Sequence, residues 1–525
     1  MSQVLELKPS GRIFGGLAAD LKRKMPFYRT DFKDGLNSKV AGTTLFLYFA
    51  VLANAIAFGA LTGVLTNGQI GIAEMLVVTA LGGVIFALFS GQPLTIIGGT
   101  GPITIFTGIL YAACIQMALP FLPVYAWVGI WAGLMLLICA STDASCLMRY
   151  FTRFTDEIFV VLISVIFIFK ALKNIHETFV SPDFPLPSAF LTVILSLGTF
   201  LLARGLKRTV DTPFLTRRFR EFLSDFGPTI AIAAMTIVAL SFSEVKLERP
   251  TVPDKLAPTM GRTWLVNLFD VPAWVIAATI IPGIMAGILL FLDQNITTRL
   301  VNSKDYRLRK GGGYHLDIAV VGLIVLVGSF FALPWIVAAT VHSINHVKSL
   351  SETKIVELDG RRQELVLGVN ENRVSNLAIH LLMGASLFLL DAIRVIPMPV
   401  LFGLFLYMGV TSLVGNRFFE RLTLWITDPK LYPDNHFTRF VSPRTLNTFT
   451  VIQLLCLVAL WVLKSSRLGI LFPLMIAGLV PFRMFLRRFF PGAEFDLLVA
   501  EDPEDIVEDR LEARKIVAVP SPAPP

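Results

Sequence analysis

Asp293 and Thr297 stand four residues apart near the end of a long apolar run, 272–298. On a helix that spacing puts a carboxylate and a hydroxyl on one face. Oxygen ligands without nitrogen or sulfur suit a hard cation. Asp293 lies about 9 Å of helix before Arg299, at 1.5 Å of rise per residue, so it falls inside the apolar run. An acid in that position marks a functional site by default. A second device occurs twice. Leu94-Thr95-Ile96-Ile97 leads through Gly98-Gly99 to Thr100-Gly101-Pro102, and Ile336-Val337-Ala338-Ala339 leads to Thr340. Each is an extended, β-branched stretch, a break, and a helix that starts within an apolar run. Thr100 and Thr340 are possible caps, and Pro102 suits a first turn. Such helix starts offer unpaired N–H groups and a positive dipole end, which favour an anion. His342, two residues past Thr340, is either a packed histidine or a titrating ligand of that anion.

These residues need a membrane-spanning frame. The chain has 525 residues, 54% hydrophobic and only 16% charged, against roughly a quarter charged in soluble proteins. Apolar runs separated by short polar loops demand a bundle of spanning helices. Fourteen are expected, near 40–64, 70–89, 94–117, 124–140, 157–173, 188–203, 227–242, 272–298, 315–333, 335–347, 375–393, 398–415, 446–463 and 468–486. The two breaks fall in the third and tenth, seven apart, which points to an inverted repeat with a midplane site. With the N-terminus inside, the even-numbered loops fall inside and hold most basic residues, among them Arg153, Arg208, Arg309, Arg373 and Arg421. The exception is 243–270, with Lys246, Arg249, Lys255 and Arg262.

The net charge of +8 follows from these loops and forms no nucleic-acid footprint. Residues 1–39 are polar and lack the apolar core of a signal peptide. The four cysteines form no CxxC, so no zinc site or disulfide framework is expected. No HExxH, P-loop or GxSxG is present, so enzyme chemistry is not expected. Gly311-Gly312-Gly313 follows no strand and is a poor phosphate cradle. The pairs Gly59/Gly63, Gly129/Gly133 and Gly283/Gly287 are close-packing helix faces. Trp127, Trp131, Trp335 and Trp461 are packing or interface anchors. The expected organisation is a cytoplasmic N-terminus (1–38), a transporter domain (39–486, with repeats at about 39–242 and 271–486) and a cytoplasmic acidic, Pro-rich tail (487–525), of which 495–512 is expected to be solvated.

At these residues the chain resembles the bicarbonate transporter family of chloride/bicarbonate exchangers, sodium-bicarbonate cotransporters and borate transporters. The matching stretches are DFKDGLN (31–37), NAIAFGALTG (54–63), GQPLTIIGGTGP (91–102), RYFTRFTDEIF (149–159), FLDQNITTRLV (291–301), LRKGGGYHLD (308–317) and LPWIVAAT (333–340). The resemblance implies an all-α polytopic membrane protein of fourteen spans in two inverted seven-span repeats, with core and gate parts, usually a homodimer. Asn54, Thr95, Thr100, Asp293 and Val337–Thr340 are similar to the sodium-coupled branch. That likeness implies secondary transport of bicarbonate or carbonate with sodium as co-substrate and no other cofactor. Sodium would sit at Asp293 and Thr297, and the anion at Thr100, Gly101, Val337, Ala338, Ala339, Thr340 and His342. Alternatives are a sodium-independent exchanger, a borate transporter or an anion channel. Three departures stand out. His342 replaces the exchangers' arginine or the cotransporters' apolar residue, Lys170 replaces an acid, and Lys173 belongs to a lysine cluster only partly kept. The large cytosolic N-terminal domain of animal members is not in the sequence, which suggests a prokaryotic-type member. Its place would be the cell (inner) membrane, with both termini cytoplasmic.

Overall fold

The structure is a computed structural model. It describes residues 9–499 apart from 151–152, 254–255, 304–305, 359–360, 434–435 and 467. Each of the fourteen expected segments carries a helix. They are α1 (Ser38–Leu65), α2 (Ile72–Phe89), α3 (Gly101–Gln116), α4 (Phe121–Ser141), α5 (Arg153–Val180), α6 (Leu186–Arg208), α7 (Gly227–Leu240) and α8 (Ile280–Val301). They continue with α9 (Tyr314–Ser329), α10 (Thr340–Leu350), α11 (Val374–Ala385), α12 (Met398–Leu413), α13 (Pro443–Ser465) and α14 (Phe472–Leu486). Among the described residues nine helical stretches are long and apolar enough to cross a membrane unaided, and two more are bent pairs. The helices α3, α9 and α10 are not among these eleven, being 16, 16 and 11 residues long with no helical extension that lengthens them enough. For α3 and α10 the reason is that the first part of each span is extended backbone, β1 (Ile97–Gly98) and β2 (Val337–Ala338).

The two strands pair antiparallel, Ile97 with Ala338 and Gly98 with Val337. The helix packing repeats with the same inversion. α4 packs on α8 and α9, as α11 packs on α1 and α2. α1 packs on α3 and α10, as α8 packs on α10 and α3. The fold is therefore an inverted repeat whose breaks meet at its centre. Small residues allow this closeness. A Cβ on Gly133 would lie 2.9 Å from the Gly322 carbonyl oxygen, and one on Gly287 2.6 Å from Met135 Sδ. Trp335 is a packing residue, its ring stacked on Tyr125 at 4.2 Å.

The chain divides into two compact units, one of residues 1–148 and 167–408 and one of 149–166 and 409–525. In the second, Arg421 donates to Glu157 (2.7 Å) and Gln453 (2.6 Å) in a buried triad.

Several expectations need correction. The loop between spans ten and eleven is an antiparallel hairpin, β3 (Ser351–Leu358) with β4 (Arg361–Val369). Residues 495–499 are not a solvated tail. They belong to the helix Gly492–Val499, with Phe495, Leu497, Leu498 and Val499 buried, because the apolar FDLLV run offers a face to bury. The acidic residues Glu501, Asp502, Glu504, Asp505, Glu508 and Asp509 lie outside the described residues. In the basic loop 243–270 Lys255 also lies outside them, while Arg262 is structural and donates to the Phe331 (3.1 Å) and Ala332 (3.4 Å) carbonyls.

The N-terminal segment is likewise built in. Asp143 Oδ1 accepts from the Gly16 N–H (2.9 Å) at the start of the helix Gly15–Lys24. Arg23 donates to the Gly312 carbonyl (2.9 Å) and Lys24 to that of Gly311 (2.6 Å). In the same helix, burial raises the Asp20 carboxyl above the usual carboxylate range, against the pull of His315 and two backbone N–H groups.

Candidate ion-binding site

Residues expected to act separately are joined in pairs. The Thr100 hydroxyl donates to Asp293 Oδ2 at 2.8 Å. The hydroxyls of Thr297 and Thr340 are 2.6 Å apart, and Thr297 also donates to the Ala338 carbonyl at 3.4 Å. One face of α8 thus reaches both helix starts, Asp293 to α3 and Thr297 to α10. Asp293, Thr100, Thr340 and His342 are half-buried, whereas Thr297 is fully buried.

Thr100 occupies the N-cap of α3 but makes no side-chain cap bond, because its hydroxyl is turned to Asp293. Pro102 lies in the first turn, as its fixed φ allows. Thr340 is not a cap. Ala339 is the cap residue and Thr340 opens α10, leaving its hydroxyl for Thr297. By helix geometry the first-turn N–H groups have no partner within their own helix. In α3 these include Gly101 and Ile103, and in α10 Thr340, Val341 and His342. The main-chain donors of Ala338 and Ala339 are used otherwise. Ala338 N–H donates to Gln294 Oε1 (2.9 Å) and Ala339 N–H to the Ile96 carbonyl (2.8 Å). Val337 is held in the strand pair with Gly98. His342 lies in the first turn of α10, beside Thr340 and Val341 in sequence.

The sequence reading missed the role of the residues that hold the breaks, naming only Asn54 among them, and that for its family likeness. Gln294 joins α8 to β2. Asn54 of α1 donates to the Gly99 carbonyl at 3.1 Å. Asn376 of α11 donates to the carbonyls of Pro93 (2.9 Å) and Thr95 (2.8 Å). His346 of α10 donates from Nδ1 to the Leu94 carbonyl (2.8 Å), and its Nε2 accepts from Ser375 (2.7 Å). The usable signal was polarity itself, since a buried polar side chain in an apolar span needs a partner. Among the described residues no three His, Cys, Asp or Glu side chains converge on a metal site. One carboxylate among hydroxyls and helix N–H groups suits an alkali cation beside a small oxyanion. Lys170 and Lys173 lie on α5, and Lys173 pairs with Glu177 at 3.5 Å in an exposed position.

The sequence model of the HCO3- transporter integral membrane domain matches residues 12–187 and 180–503. Anion exchange protein 3 of Danio rerio is 36% identical over 96% of this chain and 46% of its own. Human sodium bicarbonate cotransporter 3 is 37% identical over 95% and 47%, and human anion exchange protein 4 is 36% identical over 97% and 59%. The chain spans about half the length of these curated relatives. Two solved structures share the fold at low identity. The transmembrane domain of the cyanobacterium bicarbonate transporter BicA has a TM-score of 0.59 at 16% identity, covering 84% of this chain and 97% of that one. The murine Slc26a9 anion transporter, in its inward-facing state, has 0.55 at 13%, covering 86% and 68%. The relatives are transporters, not enzymes, and the match covers nearly the whole chain: this multi-pass membrane protein belongs to the bicarbonate transporter family.

Proposed function

We propose that the protein carries bicarbonate or carbonate across the cell membrane, coupled to sodium, by alternating access. The observation that carries this reading is the joining of Asp293 to Thr100 and of Thr297 to Thr340. A carboxylate that attracts a cation and two helix starts that attract an anion share one partly exposed place. Sodium enters as substrate and sits against Asp293, with the hydroxyls of Thr100, Thr297 and Thr340 within reach as further oxygen ligands. The oxyanion takes the free N–H groups at the starts of α3 and α10, from Gly101 and from Thr340 onward. Val337, Ala338 and Ala339 frame the site through β2 rather than donate to the anion. Each ion offsets the other's charge, so the pair crosses more easily than either alone. His342 faces the bound anion and tunes its protonation.

The basic bias of the even loops supports cytoplasmic termini. The working unit is a homodimer in the bilayer, as expected from the family resemblance. The alternative of sodium-independent chloride/bicarbonate exchange stands on one observation, the nearly equal identity to anion exchange proteins (36%) and to a sodium bicarbonate cotransporter (37%). Labelled-bicarbonate uptake into proteoliposomes separates them. Sodium-coupled transport requires acceleration by an inward sodium gradient without chloride. Uptake driven by a chloride gradient and indifferent to sodium would establish exchange instead.

A further inference from the structure

The segment 93–97 runs from a turn at Pro93–Leu94, where the Thr95 N–H donates to the Gln92 carbonyl at 3.2 Å, into β1, and its two edges are completed mainly by helix side chains. On one edge, Asn376 of α11 receives the carbonyls of Pro93 and Thr95 with its two amide hydrogens, at 2.9 and 2.8 Å. On the other edge, His346 of α10 donates to the carbonyl of Leu94 at 2.8 Å. The carbonyl of Ile96 on that edge takes the Ala339 N–H at 2.8 Å, and the Ile96 N–H is held by Ser343 of α10 at 3.0 Å. Below Asn376 the His380 ring lies with Nε2 3.4 Å from the Ile97 carbonyl. It fits there because residue 83 of α2 is glycine, where a Cβ would run into the ring. Asn376, His346 and Ser343 are fully buried. Three residues beyond this segment, Thr100 bonds Asp293.

We propose that Asn376 is a positioning residue for the anion. By holding the Pro93 and Thr95 carbonyls it sets how far the stretch before the helix of span three reaches, and so where the start of α3 stands against Asp293. It touches no ion itself and acts through Thr100 and Gly101. This inference rests on the proposed site at the start of α3.

The test uses the full-length protein in proteoliposomes. Asn376→Leu keeps the shape and removes both donors, and Asn376→Ala removes the side chain. The control is Ser196→Ala on α6, which breaks a buried hydroxyl bond to the Pro399 carbonyl of α12 (2.8 Å) and involves no residue of the proposed site. The readout is KM for labelled bicarbonate, which does not depend on the fraction of active protein. Both Asn376 variants are expected to raise KM roughly ten-fold, as two lost hydrogen bonds allow, while the control keeps the wild-type KM. Amide hydrogen exchange is expected to quicken in 96–104 in both variants. If an Asn376 variant is too unstable for uptake, exchange in detergent at low temperature decides: protection lost first in 96–104 supports the proposal, and uniform loss overturns it. Wild-type KM in folded Asn376 variants also overturns it. Wild-type protein that takes up no bicarbonate would instead remove the reading beneath it.

Discussion

In span three the stretch before the helix is held by its carbonyls, from Pro93 to Ile96 and again at Gly99, by donors from α1, α10, α11 and the Ala339 main chain. In span ten the corresponding stretch is held by ring packing and by its N–H groups. Trp335 stacks on Tyr125 and its indole donates to Ser329 (3.2 Å), while Ala338 and Ala339 give their N–H groups to Gln294 and the Ile96 carbonyl. The helix starts differ in the same way. Thr100 meets a carboxylate, and Thr340 meets a hydroxyl. Two halves related by an inverted repeat have thus divided the work. The polar, hydrogen-bonded break touches the charged residue, and the apolar, packed break braces it.

The strongest way to break this contrast is at the packed half. Trp335→Ala should cost about 3–5 kcal/mol, since it removes a fully buried aromatic and leaves a cavity. Thermal unfolding in detergent should show the largest loss here, with KM of the surviving protein unchanged. A comparable rise in KM would mean that the second break is as much part of the binding surface as the first.

The helix starts sharpen it further. Thr100→Val removes a hydrogen bond to a carboxylate, worth about 1.5–3 kcal/mol, whereas Thr340→Val removes one between hydroxyls, worth about 0.5–1.5 kcal/mol. Sodium-stimulated uptake should therefore suffer more from Thr100→Val. Equal losses would put the cation midway between the two threonines. Asn54→Val is milder again, at about 1 kcal/mol for one bond to the Gly99 carbonyl. It should lower the melting temperature slightly and raise KM for the anion less than Thr100→Val does.

The smallest effect is expected at His342. His342→Arg should shift uptake toward sodium independence, and His342→Ile toward strict sodium coupling. Uptake with external sodium and chloride varied separately measures both. If both variants keep the wild-type ion requirements, His342 is a packing residue.

The breaks at Gly98–Thr100 and before Thr340 were legible because composition changes abruptly there, from β-branched run to glycine or threonine. Asp293 was legible because an acid in an apolar span is rare. The partners that fix these parts were not, because they act on main-chain carbonyls and N–H groups, which carry no residue signature, Asn54 across 45 residues of sequence, Gln294 across 44, His346 across 252 and Asn376 across 283. The cap at Thr340 was misplaced by one residue because Thr297, 43 positions away, takes the hydroxyl. The hairpin β3–β4 was overlooked because its strands are polar enough to read as a loop. The acidic end was read as solvated from 495 because its charges hid a short apolar face, Phe495 to Val499.

Sodium-dependent uptake by Asp293→Asn is the most direct test of the site, because it removes one charge and little volume where the cation is placed. The protein should express, elute and melt like wild type, and labelled bicarbonate should enter at one low rate with or without a sodium gradient. Uptake still accelerated by sodium to the wild-type rate would place the cation elsewhere and contradict the joining of Asp293 and Thr100 as the coupling element.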